Sequence, residues 1–284
     1  MEGGMETLRN KKALAEAIRA LRADGKTIGL VPTLGALHAG HVSLVDIARR
    51  HADAVVATVF VNPTQFGPNE DFLKYPRTEA EDLEKLTQAG AYAAYLPTVE
   101  EMYPAGAVTR VQVPGISAEL CGAFRPGHFD GVATIVTKLF MQAMPDVAVF
   151  GEKDYQQLHI IRQMTRDLDI PVQIFGAPIL RETDGLAMSS RNRYLDPQQR
   201  KIAASLYAIL NETAEAIRAG MLLSSVLTQA SEALLMAGFS KVDYIELRNA
   251  ETLAPARDLK RPARLLAAAH LGTTRLIDNI AVVS

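Results

Sequence analysis

Cysteine is nearly absent: Cys121 is the one thiol in 284 residues, which excludes an internal disulfide and fits a reducing compartment. Cys121 itself reads as an inert thiol. Charge of one sign is lacking too, since 30 basic residues stand against 32 acidic ones for a net charge of -2. That balance gives no electrostatic case for nucleic acid as a main partner. No stretch reaches the roughly 18 apolar residues that a membrane span needs, and Met1 to Lys12 mixes acids and bases without an apolar run. These absences predict a cytoplasmic protein with no membrane partner. Met1 to Gly4, before Met5, is expected to be a loose extension outside the fold. Internal repeats and low-complexity segments are missing. So is a Gly-x-x-x-x-Gly-Lys-Ser/Thr loop, which argues against a P-loop ATPase.

What is present is an ordinary globular composition, 48% hydrophobic and 22% charged, in a chain long enough to favour two domains. Short β-rich runs alternate with helical patterns through the first two thirds, the mark of an α/β parallel sheet covered by helices. Strands are expected at Thr27–Val31, Ala54–Phe60, Tyr92–Leu96, Val108–Val113, Asp146–Phe150 and Val172–Phe175. Helices are expected at Lys11–Asp24, His41–Arg50, Thr78–Ala89, Val132–Met144 and Tyr155–Leu168. From a boundary near Pro178 the pattern changes to a smaller α+β unit, giving domains 1–178 and 179–284. Its helices are expected at Pro197–Gly220 and Leu222–Ala237, and its strands at Val242–Leu247, Arg264–His270 and Arg275–Val282.

The most telling stretch runs from Pro32 to His41, between an apolar strand and a helix. A strand, a glycine-bearing turn and a helix amino terminus point unpaired N–H groups and the positive end of the helix dipole outward, where a phosphate is readily held. Gly35, Ala36, Ala39 and Gly40 leave room for close approach, and the imidazoles of His38 and His41 can donate to phosphoryl oxygens. The same His-x-x-His spacing also suits a metal half-site or two capping histidines.

Three more segments are richer in polar residues than a core-facing loop needs. Asn62 and Gln65 put two carboxamides in a tight turn, suited to a hydroxy acid or to turn chemistry alone. In Gly151-Glu152-Lys153-Asp154, Lys153 offers a point charge for phosphate and Gln157 lies one helical turn on; a solvated helix start would look similar. Met188-Ser189-Ser190-Arg191 pairs hydroxyls with a guanidinium, a phosphate clamp that Gly185 could let swing, or else a surface turn with a capping serine. Together the four segments suit a nucleoside triphosphate.

In this order they closely resemble the pantothenate synthetase (pantoate:β-alanine ligase) family over essentially the whole chain. The resemblance is most specific at Pro32–His41, Phe60–Tyr75, Gly127–Lys138, Asp146–Gln157 and Asp184–Leu195. The short His-x-Gly-His element is shared with a wider nucleotidyltransferase superfamily that includes cytidylyltransferases and class I aminoacyl-tRNA synthetases.

The resemblance implies a Rossmann-like doubly wound amino-terminal domain binding ATP and pantoate, and a smaller α+β domain whose Ser-Ser-Arg loop closes over the site. It implies condensation of pantoate with β-alanine through pantoyl adenylate, releasing AMP and pyrophosphate, with Mg²⁺ accompanying ATP and the enzyme a homodimer. Leu34, Gly35, Ala36, Leu37, His38, Ala39, Gly40, His41, Gly151, Glu152, Lys153, Asp154, Leu180, Met188, Ser189, Ser190 and Arg191 fall on ATP-binding positions. Gln65 and Gln157, with Asn62 beside them, fall on the substrate side, and Gln65 also meets β-alanine. His41 matches a proton donor, acting with His38, Lys153 and Arg191. Asp82 lies where relatives approach magnesium. Leu34 replaces the usual methionine, a swap of similar volume. Two other readings share the motifs: a nucleotidyltransferase that keeps the nucleotidyl group on its product, and a non-catalytic nucleotide-binding module.

Overall fold

The computed structural model describes residues 4–283; of the expected extension Met1–Gly4, all but Gly4 lies outside them. The chain divides into two compact units. The first runs to Glu152 and resumes over Ile160–Pro178, and the second takes Lys153–His159 and the chain from Ile179 onward.

Up to Pro178 the strands are β1 (Glu6–Leu8), β2 (Ile28–Thr33), β3 (Ala54–Val59), β4 (Ala93–Tyr95), β5 (Val147–Gly151) and β6 (Gln173–Ala177). They form one sheet in the order β1-β4-β3-β2-β5-β6, with every pairing parallel. The helices are α1 (Lys11–Ala23), α2 (Ala39–Ala48), α3 (Glu79–Gln88), α4 (Val99–Met102), α5 (Cys121–Phe124), α6 (His128–Ala143) and α7 (Tyr155–Asp167). This is the α/β class expected. Parallel strands covered on both faces must be apolar throughout, and in β2 Ile28, Leu30 and Val31 are all fully buried. Helix α1 shows how local sequence sets an element. Asn10 caps it by accepting from the Ala13 N–H at 2.9 Å, and Leu14, Ala17, Ile18 and Leu21 recur at helical spacing on the buried face. Burying each of the three large side chains contributes about 1.5–3 kcal/mol.

Three expectations fail for identifiable reasons. Val108–Val113 is not a strand: no neighbouring strand pairs with it, Val108 is exposed, and the Val111 N–H donates to Thr134 Oγ1 at 2.9 Å instead of to a ladder. The edge strand β1 escapes notice because its three residues, Glu-Thr-Leu, are too few for a period and bury only Leu8. Pro197–Gly220 is two helices that meet at Ala204, not one.

The second unit contains α8 (Pro197–Ala203), α9 (Ser205–Arg218) and α10 (Leu223–Ala237), then β7 (Lys241–Asn249), β8 (Ala263–Leu271) and β9 (Thr274–Val282) in an antiparallel sheet ordered β7-β8-β9. Asp196 and Gln199 form a capping box with Pro197 in the first turn, so α8 starts where the sequence says it should. Leu206, Leu210 and Leu234 pack on Leu265, Ala267 and Ala269 to make this unit's core. Among the described residues no helix is long and apolar enough to cross a membrane.

The register of β7 shifts between Val242 and Tyr244, and the residue there is Asp243. Its buried carboxylate meets Lys241 Nζ at 2.7 Å, Arg275 Nε at 2.8 Å and His270 Nε2 at 3.1 Å. Burial alone would raise its pKa, but the hydrogen bonds from Lys241, Arg275 and His270 outweigh it and bring the carboxyl down to about 2. A carboxyl with a depressed folded-state pKa contributes stability above its unfolded value of about 3.9 and loses it as pH falls toward 2. Urea unfolding of wild type and D243N should therefore show a clear stability gap at pH 7 that narrows by pH 3. A gap of equal size at both pH values would contradict this account.

Candidate active site

In a parallel sheet, ligands sit at the carboxyl ends of neighbouring strands whose connections diverge. β2 lies between β3 and β5, so the turn from Leu34 and the chain leaving Gly151 depart from adjacent strand ends. A Cβ at Gly151 would meet no atom within 4 Å, which leaves room beside that strand end.

The turn after β2 is not built as the sequence suggests. Gly35 and Ala36 have φ of +85° and +50°, and their left-handed backbone turns the amides inward. Gly35 N–H donates to Thr33 Oγ1 at 3.2 Å, and the N–H groups of Ala36 and Leu37 donate to the Asp82 carboxylate at 2.9 and 2.7 Å. The amides of residues 35–37 are therefore not the outward anion donors expected. What the turn presents is side chains.

His38 is the N-cap of α2, and its Nδ1 accepts from Gly40 N–H at 3.1 Å. His41 Nδ1 accepts from His38 N–H at 3.3 Å, closing a capping box made of two imidazoles with ring centroids 4.1 Å apart. Because both Nδ1 atoms accept, each neutral ring carries its proton on Nε2. The caps thus set the tautomer, and Nε2–H is the donor that each histidine presents.

After β3, Asn62 is completely buried in the turn Pro63–Gln65. Its Nδ2 donates to Gln65 Oε1 at 3.1 Å and to Gly131 O at 3.2 Å, while its Oδ1 accepts from Thr64 N–H, Thr64 Oγ1 and Tyr103 OH. Asn62 was expected to hold substrate. Both ends of its amide are engaged by protein, and one of those bonds holds Gln65. Since Gln65 Oε1 already accepts from Asn62, the group Gln65 has to offer is its Nε2 donor pair. Helix α6 presses on this turn so closely that a Cβ at Gly131 would lie 2.2 Å from Thr64 O.

The backbone of Gln65 is held by residues that the motifs did not single out for a role. Glu70 takes two bonds from Arg125, Nε at 2.7 Å and Nη2 at 2.6 Å. Arg125 Nη1 lies 3.0 Å from His128 Nε2, and His128 Nδ1 lies 2.8 Å from Gln65 O. A guanidinium only donates and a carbonyl only accepts, so neutral His128 carries its proton on Nδ1 and passes the Glu70–Arg125 pair's hold to the turn. Burial works against ionisation of Glu70, yet the hydrogen bond and charge of Arg125 hold its carboxyl below the usual range. The available signal was Phe124-Arg125-Pro126-Gly127-His128-Phe129, two bases set among apolar and turn residues.

Asp82, expected near magnesium, is 1% exposed and faces the turn's amides. Among the described residues no three His, Cys, Asp or Glu side chains cluster as a metal site.

In the second unit, Lys153 opens the turn before α7. Its carbonyl accepts from buried Asn279 Nδ2 at 3.0 Å, and its Nζ lies 3.9 Å from Asp154 Oδ2. Tyr155 anchors the same turn, donating to Ala250 O at 2.8 Å beneath the Arg264 guanidinium, and Gln157 follows half-buried. Leu180 and Met188 are brought together: Met188 N–H donates to Leu180 O at 3.0 Å. Ser189 caps the short helical turn Ser190–Tyr194 by accepting from Arg191 N–H, and Asn192 Nδ2 ties that turn to Ala187 O. Gly185, expected to let this segment swing, sits in a close-packed turn. Its φ of +90° makes a tight turn against Tyr207, where a Cβ would lie 2.5 Å from Cδ1. Arg181 fixes the base of that turn, bonding Asp278 at 2.6 and 2.9 Å and lying over the Tyr207 ring.

The family model for pantoate–beta-alanine ligase matches residues 6–281. The pantothenate synthetase of Paramagnetospirillum magneticum is 57% identical over 99% of both chains, and that of Azotobacter vinelandii 55% identical over 98% of this chain and 99% of its own. A crystal structure of the Thermus thermophilus pantothenate synthetase superposes with a TM-score of 0.92 at 46% identity, covering 99% of this chain and all of that one. The Francisella tularensis pantoate-beta-alanine ligase, crystallised with beta-gamma ATP and beta-alanine, superposes with a TM-score of 0.84 at 33% identity over 97% of each chain. A sheet with this strand order, a histidine-capped helix at its switch point and matches of this length have one reading: the chain is an enzyme of the pantoate–β-alanine ligase family.

Proposed function

We propose that the protein condenses pantoate with β-alanine to pantothenate at the expense of MgATP, through pantoyl adenylate. The observation that carries this reading is the pair of imidazoles capping α2, each with Nδ1 engaged by backbone and Nε2–H as its donor. Such donors stabilise charge that grows on phosphoryl oxygens in a transition state and need no reorganisation to do so.

A pantoate carboxylate oxygen attacks the α-phosphorus of ATP, and the bond to the bridging oxygen breaks to release pyrophosphate. The β-alanine amine, having lost a proton, then attacks the acyl carbon; the acyl–oxygen bond breaks and AMP leaves. No protein nucleophile takes part. His41 donates to the phosphoryl group undergoing displacement, assisted by His38. Lys153 and Arg191 neutralise phosphate charge, and Gly151, Glu152, Asp154, Leu180 and Met188–Ser190 complete the nucleotide's surroundings. The turn Leu34–Gly40 lines the nucleotide, with Leu34 in the place of methionine. Gln65 and Gln157 hold pantoate in line with the α-phosphorus, and positioning of this kind lowers a barrier by several kcal/mol, up to about 7–11 in favourable intramolecular cases. The Gln65 Nε2 donors suit a carboxylate, of pantoate first and of β-alanine afterwards. When bound, magnesium neutralises charge on the ATP phosphates. The enzyme works in the cytoplasm as a homodimer, so light scattering should return about twice the chain's 30.8 kDa.

Pyrophosphate release should depend on added pantoate, with AMP formed in equal amount once β-alanine is present; ADP and phosphate, or a product that keeps the nucleotidyl group, would refute the assignment. H41A should lower kcat by about 100-fold or more while the circular dichroism spectrum and melting temperature stay close to wild type. Wild-type turnover in H41A would remove the histidine from the chemistry. R125L, which cuts the tie from Glu70 to His128, should raise KM for the two acids well above wild type and leave KM for ATP little changed. An equal rise for all three substrates would show that Arg125 supports the whole fold and not Gln65.

A further inference from the structure

Ala36 holds a left-handed conformation that an L residue adopts at a cost, and something must keep it there. Asp82 stands in the first turn of α3, 1% exposed. Its Oδ2 accepts from Ala36 N–H at 2.9 Å, and its Oδ1 accepts from Leu37 N–H at 2.7 Å and from Thr78 Oγ1 at 3.2 Å. One helical turn on, Lys85 Nζ donates to the Leu37 carbonyl at 2.8 Å. Leu37 is thus gripped on its N–H and its C=O from one helix, and the next residue is His38, the cap of α2. Gly35 closes the fit, since a Cβ there would stand 3.2 Å from Asp82 Oδ2 and 3.0 Å from Val59.

We infer that Asp82 and Lys85 are positioning residues that lock the turn between β2 and α2, and through it His38 and His41, and that Asp82 is not a ligand for a divalent cation. The inference rests on the nucleotide reading above for its effect on ATP, but not for its effect on the turn. Magnesium prefers near-octahedral oxygen ligands at about 2.1 Å and usually keeps several waters. A carboxylate buried against two amides and a hydroxyl has no room for a hydrated ion. The nearby Lys85 ammonium is itself engaged, by the Leu37 carbonyl at 2.8 Å and by Glu81 at 3.7 Å. Magnesium that accompanies ATP must therefore be held by other oxygens.

D82N keeps the shape but removes the charge and one acceptor, so one turn amide then faces an NH2 group. Amide hydrogen exchange at Ala36 and Leu37 should quicken by about tenfold or more in D82N, while the amides of β3 keep wild-type protection. Calorimetric titration of metal-free ATP in EDTA should show about tenfold weaker binding, with the magnesium concentration for half-maximal activity unchanged. K85M, which leaves the carboxylate intact, should also weaken metal-free ATP binding, by a smaller factor. Metal-free binding that is unaltered or tighter in D82N, with only the magnesium-dependent part of affinity lost, would make Asp82 a cation ligand and overturn the inference. So would unchanged exchange at residues 36 and 37. If wild type itself fails to bind ATP while exchange quickens in D82N, the proposed function falls and the lock on the turn stands.

Discussion

Two neighbouring parallel strands open a cleft at their carboxyl ends only if the connections leaving them go to opposite faces of the sheet. From β2 the chain crosses toward β3, on one side; from β5 it crosses toward β6, on the other. Crossovers of one hand, running in opposite directions along the sheet, put their helices on opposite faces, so the ends of β2 and β5 are left uncovered. That constraint fixes where the turn from Leu34 and the chain after Gly151 emerge, and it is set by strand order before any catalytic side chain is chosen.

Around that opening the first unit satisfies its polar groups by one device used twice. Asp82 takes up two amides of the turn after β2, and Asn62 takes up the Thr64 amide and hydroxyl of the turn after β3. In each case one buried side chain ties a turn to its surroundings through several hydrogen bonds. Leaving one such buried group unmet costs about 1–3 kcal/mol, a large share of a domain's net stability of about 5–15 kcal/mol. The turns are therefore rigid for reasons of stability, and rigidity is what a preorganised site requires. Asn62 and Asp82 illustrate how a polar residue beside a candidate site can be engaged by the protein's own backbone.

The sheet and the order of its helices were legible because buried parallel strands are apolar runs of fixed length, as at Ile28–Val31 and Val147–Phe150. Val108–Val113 is rich in valine but broken by Thr109, Arg110 and Gln112, and it fails because a strand needs a neighbour, which no local window contains. The candidate segments were legible as turns at strand ends, but the directions of their polar groups were not. Nothing in Gly35-Ala36-Leu37 says that its amides turn inward, because the acceptor, Asp82, is 46 residues away in sequence. The hold of Glu70 and Arg125 on Gln65 was hidden for the same reason, being assembled from two segments some 60 residues apart. Long-range hydrogen bonds decide which face of a motif is presented.

The histidine caps show how the fold and the chemistry share one group. Serine, threonine, aspartate or asparagine would cap α2 more conventionally, accepting from the same amides through a small oxygen. Any of them would end at that oxygen. An imidazole accepts on Nδ1 and, across the same ring, carries a proton on Nε2, so the bond that starts the helix also selects the donor. On the proposed reaction, a local departure from the best capping residue is explained by the donor on the other side of the ring. The lock from Asp82 and Lys85 extends this logic one step back. A donor aimed by a cap is only as well aimed as the turn that delivers the cap, and here that turn is held by a neighbouring helix through both its N–H and its C=O groups.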